Sequence, residues 1–554
     1  MKNIFNIKAN YNFLESLASL ILEKYGQDPL YLAKITILLP TRRACRNFRD
    51  ILLKQYNKNS IILPKIKAIG DINIEEIALD IKNNNHLQEL QQYSRSFLKY
   101  HTLLIDEIRK FNKKTELFGK NINVKQLNLI AKNLEEFLNE IDREELDLDN
   151  LDNIKEEDIA SHKQKILSFL RNFGSNWRNI LRKNNIQSKT IYQNQLIDLY
   201  CQYLQNKSDD FPIIVAGSTG SLKSTSRLLK QISQIKNGDV VIFGLDKNID
   251  DNIFENLTEN HPQFMLYKLL NNLKIARSDV IDLEFKKFKQ RNNNLANLLS
   301  YSFLPAEKSD IWTNIKDVTE NKIDNFNLIE CKNTSDEAIM TTIIMLKELE
   351  NKNNNIALIT KDSNLSKAVK NLLSRFNINI DDSKNNNLVQ SPAAQYLISI
   401  AKFFNSDFKV SNLLSILKHN ITKAGFKSDF YDNNLEIFEL EILRKNFSLR
   451  NIEIINKKIK ESKNIELKKW FKTVINTLNI FQNLKNENNF LKLLELNIEC
   501  AQRLSQNDEK QILFNNIKGS NEINTFYESI KNEINTFKAE YEVYGDILQE
   551  FLSN

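Results

Sequence analysis

Two periodicities share this chain. Short β-branched apolar runs demand a sheet, and long stretches of helical spacing without any strand signal interrupt them. Ile35-Thr36-Ile37-Leu38-Leu39 is apolar nearly throughout and stops at Pro40, the pattern of a parallel strand covered on both faces. Ile4-Phe5-Asn6-Ile7 and Ile61-Ile62-Leu63-Pro64-Lys65-Ile66 read as further strands, with a helix over Phe13–Tyr25 and another opening at Thr41. From about Ile74 to Leu204 the spacing is helical. Strand character returns at Pro212–Gly217 and, after one helix, at Val240–Asp246, a βαβ spacing that implies a right-handed crossover in one sheet.

The alternation recurs near Phe326. Asn327–Cys331, Ile356–Thr360 and Ile378–Ile380 read as strands around helices over Asp336–Leu349 and Leu365–Phe376. Ser391-Pro392 opens a last helical region. The expected fold is α/β, with two parallel-sheet domains that each carry a large helical insertion. Residues 1–80 with 205–325 form the first α/β domain and 81–204 its insertion. Residues 326–390 form the second, and 391–554 are helical.

Composition excludes several classes. With 11 Gly and 7 Pro in 554 residues, collagenous and Pro/Gly-rich disordered chains are ruled out. No apolar run reaches the roughly 20 residues of a spanning helix, and the N-terminus carries no signal-peptide pattern, so a cytoplasmic, non-membrane protein is expected. The net charge of +7 permits nucleic-acid binding without demonstrating it. Cys45, Cys201, Cys331 and Cys500 form no CxxC pair, and no two of His86, His101, His162, His261 and His419 lie one helical turn apart. No metal site and no catalytic constellation are expected.

The candidate residues follow strands. Thr41, Arg42, Arg43 and Arg46 stand where a buried strand ends and a helix begins, which suits a phosphate backbone because arginine forks onto phosphate oxygens. The alternative is a surface helix with solvated arginines. Gly70 and Asp71 close the third strand. Gly217-Ser218-Thr219-Gly220-Ser221-Leu222-Lys223-Ser224 resembles a phosphate loop, but Leu222 stands where that loop needs its second glycine. It reads as a contact to a DNA phosphate through Ser218, Thr219, Gly220 and Ser221, or as a plain turn capped by Ser or Thr, or as a degenerate nucleotide site. Lys361 ends a strand of the second domain and is a further candidate phosphate contact, the alternative in a lysine-rich chain being a solvated side chain. Leu103-Leu104-Ile105-Asp106-Glu107 resembles a Walker B strand, yet Phe97, Tyr100, Leu104, Ile108 and Phe111 fall at helical spacing, so a helix is expected.

Taken in order, several segments resemble the AddB-subunit family of bacterial AddAB helicase–nucleases, in its alphaproteobacterial form. They are Ile37–Arg46, Gly70-Asp71-Ile72, Val215–Ser221, Phe243-Gly244-Leu245-Asp246 with His261-Pro262-Gln263-Phe264, Leu298-Leu299-Ser300 through Leu304-Pro305-Ala306-Glu307 with Trp312, Ala357–Thr360 and Leu414–His419. The resemblance implies two RecA-like domains of the superfamily 1 helicase plan whose ATPase is inactive. It implies a partner, an AddA-type helicase–nuclease subunit, and a role with single-stranded or duplex-end DNA in double-strand break repair by homologous recombination. An inactive ATPase agrees with β-strand Ile4–Ile7 running into Lys8–Asn12 with no glycine until Gly26. The family pattern extends well past the equivalent of Asn554. On this resemblance the PD-(D/E)XK nuclease domain, its Mg and the iron–sulfur cluster are expected to be absent from the chain, leaving no cofactor and no activity of its own. A fragment, one half of a split subunit and a remnant all stay open. The alternatives to a non-catalytic DNA-binding subunit are a DNA-stimulated ATPase using Gly217–Ser224 and a protein-interaction scaffold.

Overall fold

A computed structural model describes residues 3–56, 61–72, 90, 93–94, 96–120, 122–148, 161–206, 211–285, 293–314, 327–351, 355–381, 388–405, 409–444, 452–479, 487–534, 537–538 and 543–553. The expected start of the first helical region at Ile74 and the domain boundaries at 80–81 and 325–326 lie outside the described residues.

The chain is an α/β protein whose described residues form one all-parallel sheet, in the order β3-β2-β4-β5-β1-β6. The strands are β1 (Ile4–Ile7), β2 (Thr36–Leu39), β3 (Lys65–Ala68), β4 (Ile213–Ala216), β5 (Gly238–Phe243) and β6 (Ile281–Asp282). Side chains alternate between faces along each strand. Ile37, Leu39, Ala216 and Val241 pack on one side against Leu17 and Ile21 of α1 (Phe13–Tyr25) and Phe48 and Leu52 of α2 (Arg42–Gln55). Leu38, Val215, Val240 and Ile242 pack on the other against helices that appear later in the chain. Both faces are therefore dry, which is why the strands read as unbroken apolar runs.

β3 begins four residues after the expected Ile61. Thr36 pairs with Lys65, and Pro64 just before it has no N–H to give to a ladder. β6 was not legible as a strand, because it is two residues long and is defined only by its pairing with Phe5 and Asn6.

Between β3 and β4 the described residues form the helices α3 (Phe97–Thr115), α4 (Val124–Arg143), α5 (Ser161–Lys183) and α6 (Lys189–Asn206). The first sheet face is thus sealed by α1 and α2. The second is sealed by α6, α7 (Lys223–Gln234) and α8 (Phe264–Leu273), through Leu196, Leu228, Ile232, Leu269 and Leu273.

The expected second sheet is not formed among the described residues. Helices α9 (Thr334–Leu349) and α10 (Ser363–Ser374) are present and pack around Ala338, Leu365, Val369 and Leu373. The expected strands Asn327–Cys331, Ile356–Thr360 and Ile378–Ile380 lie in no sheet, and no described backbone hydrogen bond joins them. A strand exists through its neighbour, and among the described residues these segments have none: Leu328 is 85% exposed and Ile359 94% exposed.

The two helical regions are not separate bodies. Leu104, Ile108, Leu134 and Trp177 of the first share one buried core with Leu397, Trp470, Leu494 and Phe551 of the second. The seam runs through α3 against helix Ser520–Glu533 and through α4 against helix Tyr544–Ser553. Lys132 Nζ meets Glu550 Oε1 at 2.8 Å, Ser96 donates to Glu533, and the fully buried His101 lies edge-on to Phe551 at 6.1 Å. His101 is held by Glu135 Oε2 on Nδ1 and Asn128 Oδ1 on Nε2, both at 2.8 Å. The helical body is tied to the sheet domain by Arg227 of α7, whose guanidinium meets Asp198 on α6 and Glu145 beyond α4.

Candidate functional site

Loops at the carboxyl ends of parallel strands are where open α/β sheets hold ligands, at points where neighbouring connections leave in opposite directions. This sheet has two such points. The helices after β1 and β2 cover one face, and those after β4 and β5 cover the other, so direction reverses between β2 and β4 and again between β5 and β1.

The β2/β4 crevice collects most of the residues singled out in the sequence. Thr41 is the N-cap of α2, and its Oγ1 accepts from the Ala44 amide at 3.1 Å. Arg42 reaches across to β3's terminal turn, where Nε donates to Asp71 Oδ2 and Nη2 to Oδ1, each at 2.7 Å. That guanidinium holds the Asp71 carboxyl below its ordinary range. Gly70 sits in the same single turn, Ile69–Asp71. Arg43 Nη2 donates to Asp381 Oδ1 at 2.9 Å, joining this edge to the α9–α10 unit. Arg46 is exposed and has no partner among the described residues.

On the opposite lip, Gly217 and Gly220 take left-handed backbone angles, with φ of +74° and +61°. Space is a second constraint: a Cβ on Gly217 would lie 2.8 Å from Phe13 Cε1, and one on Gly220 would lie 2.9 Å from Leu269 Cδ1. Ser218 Oγ accepts from the Gly220 amide at 3.3 Å, while Thr219 and Ser221 are exposed. The Ser or Thr cap allowed by the sequence is not made. The N-cap of α7 is Leu222, without a side-chain cap bond, because the first helical residue falls at Lys223. The first amides of α7 are thus left without a side-chain acceptor.

Lys361 is exposed on the α9–α10 unit, before Asp362, whose carboxylate caps α10 by accepting from the Asn364 amide at 2.7 Å. No described hydrogen bond or ion pair joins Lys361 to the other candidates. The Asp106-Glu107 pair lies mid-helix on α3, where Asp106 meets Arg109 and Glu107 meets Lys110. Burial pushes the Asp106 carboxyl up.

The β5/β1 crevice was not anticipated from the sequence. It holds a cavity of about 500 Å³ lined by Lys8, Asn10, Lys247, His261, Asp282 and Phe303. Asp282 is its hub: it accepts from Asn6 Nδ2 at 2.8 Å, and Lys8 and Lys247 each stand 3.5 Å away. Burial holds the His261 imidazole below its ordinary value. The residues arrive from five chain segments, and β6 is too short to signal the place of Asp282.

Between the two crevices stands Phe243, the last residue of β5. It is 41% exposed, with its ring centroid 5.0 Å from that of Phe13. Among the described residues no group of three His, Cys, Asp or Glu side chains converges as a metal site, and no helix is long and apolar enough to cross a membrane.

No protein-family model matches the chain, and no curated protein matches it.

Proposed function

We propose that this chain is a non-catalytic, helicase-like subunit of the AddB type, which guides single-stranded DNA beside an active AddA-type motor during double-strand break repair in the cytoplasm. On this reading the six-stranded sheet is the first RecA-like domain, and the α9–α10 unit belongs to the second.

One observation carries the reading. Thr41–Arg46, Gly70-Asp71 and Gly217–Ser221, far apart in the chain, end three adjacent strands and line one edge of the sheet. That edge offers what a phosphate backbone takes: exposed Arg46 and Lys223, exposed hydroxyls of Thr219 and Ser221, and uncapped amides of α7.

The test is equilibrium binding of an oligothymidine strand across a series of NaCl concentrations. Binding is expected to weaken linearly in log[salt], and the Arg46→Ala, Lys223→Ala double variant is expected to flatten the slope by about 1.4, near 0.7 for each lost phosphate contact. A flat profile, or a variant with the wild-type slope, sinks the reading. Hydrolysis of ATP that disappears in Lys223→Ala would instead indicate an ATPase at this loop.

A further inference from the structure

We propose that Phe243, propped by Phe13, is a stacking platform for one unpaired nucleobase of the strand; this rests on the DNA-path reading above.

Alternation along β5 sends Phe243 to the same face as Val241. Val241 is buried beneath α1 and α2, whereas Phe243 stands one strand step beyond them, level with the first residue of α1. Its ring meets Phe13 at a tilt of 53°, while 41% of the residue stays open to solvent. The prop is built in. Phe13 occupies the space where a Cβ on residue 217 would be, so glycine there is what lets the ring lie beneath the β4 loop. The backbone on either side is pinned: the Gly244 amide donates to Ile7 O and the Gly217 amide to Val241 O, both at 2.8 Å.

A single exposed phenylalanine is ordinary. This one ends a central strand, one strand from the loop bearing Thr219, Ser221 and Lys223, with Arg46 beyond on the next strand's helix. Cationic and hydroxyl groups beside a rigid aromatic face are the pairing that single-strand sites use, phosphates on the former and a base on the latter. Charge complementarity therefore selects a nucleic-acid strand as the occupant over an apolar peptide. Every base has a π-face, so the contact tolerates any sequence.

The experiment compares the wild-type chain with Phe243→Leu, Phe243→Trp and Phe243→Ala on three ligands: oligothymidine, the same strand with one 2-aminopurine, and an abasic strand. Phe243→Ala is expected to weaken oligothymidine binding roughly 5- to 150-fold. Phe243→Leu keeps Phe13 covered and is expected to lose affinity and the 2-aminopurine quenching together, while Phe243→Trp restores both. The abasic strand is expected to bind more weakly to the wild type and equally to all variants. If oligothymidine binds the wild type with a salt slope but Phe243→Leu binds as tightly and quenches as well, the platform is overturned and the DNA path stands. If the wild type binds no strand, the DNA path falls and takes the platform with it.

Discussion

Arg42 and Asp71 lock to each other through two hydrogen bonds of 2.7 Å, so an exposed arginine of the β2/β4 crevice is spent on a neighbouring loop. Arg43 is engaged with Asp381 as well, which leaves Arg46 as the arginine of this turn open to a ligand. Removing the acid should therefore strengthen phosphate binding. Asp71→Asn is expected to steepen the salt dependence of single-strand binding by about 0.7 in log–log slope, one added phosphate contact. An unchanged slope would show that Arg42 does not face the strand.

Gly217→Ala combines left-handed strain, about 1–2 kcal/mol, with a methyl pressed into the Phe13 ring. A drop in urea midpoint at constant m-value is expected, together with loss of the affinity that Phe243 supplies. Gly70→Ala is the control: a Cβ there meets nothing within 4 Å, so the midpoint should stay.

Because the helical regions share a core, a cavity in one should loosen the other. Leu104 is fully buried on α3. Leu104→Ala is expected to cost about 2–5 kcal/mol and to raise amide hydrogen exchange in helix Phe490–Leu504 as well as in α3 and α4. Faster exchange confined to α3–α6 would mean two independent bodies.

His419 packs against Tyr396 with ring centroids 4.6 Å apart, and burial lowers its pKa. The unfolded chain titrates near pH 6.5. As pH falls through about 6.5 toward the lower folded value, the unfolded state takes up more protons and stability declines; above about 6.5 the loss is absent. The melting temperature is expected to drop between pH 7.5 and 5.5, and His419→Gln should reduce that drop. An equal drop in the variant would assign the acid sensitivity elsewhere.

The sheet was largely legible because its strands are covered twice. β1, β2, β4 and β5 are apolar on both faces, and such runs have few other homes. β3 was displaced by Pro64, whose effect on pairing shows only against a partner strand. Leu328 and Ile359 carry the same apolar pattern yet stand in solvent, since a strand-like run does not supply its neighbour. Helical spacing likewise located α3 and the helical region around it without revealing that its apolar face meets a region hundreds of residues away. In the candidate site, the loops after β2, β3 and β4 could be picked out by Pro40, Gly70 and Gly217. Phe243 could not, because its exposure depends on where α1 begins, and its prop depends on a missing Cβ on another strand.

The shared helical core also sets a timetable for biosynthesis. Leu104 and Trp177 need Leu494 and Phe551 to complete their packing, yet the latter are made far later. At roughly 5–20 residues per second, α6 leaves the ribosome about 20–70 s before the last helix, Tyr544–Ser553. Throughout that interval the α3–α6 region carries an uncovered apolar flank, the condition in which nascent chains engage chaperones or one another. Slow codons or a slowed ribosome downstream of residue 206 would lengthen that exposure, so the yield of native protein depends on translation speed as well as on the stability of the finished fold.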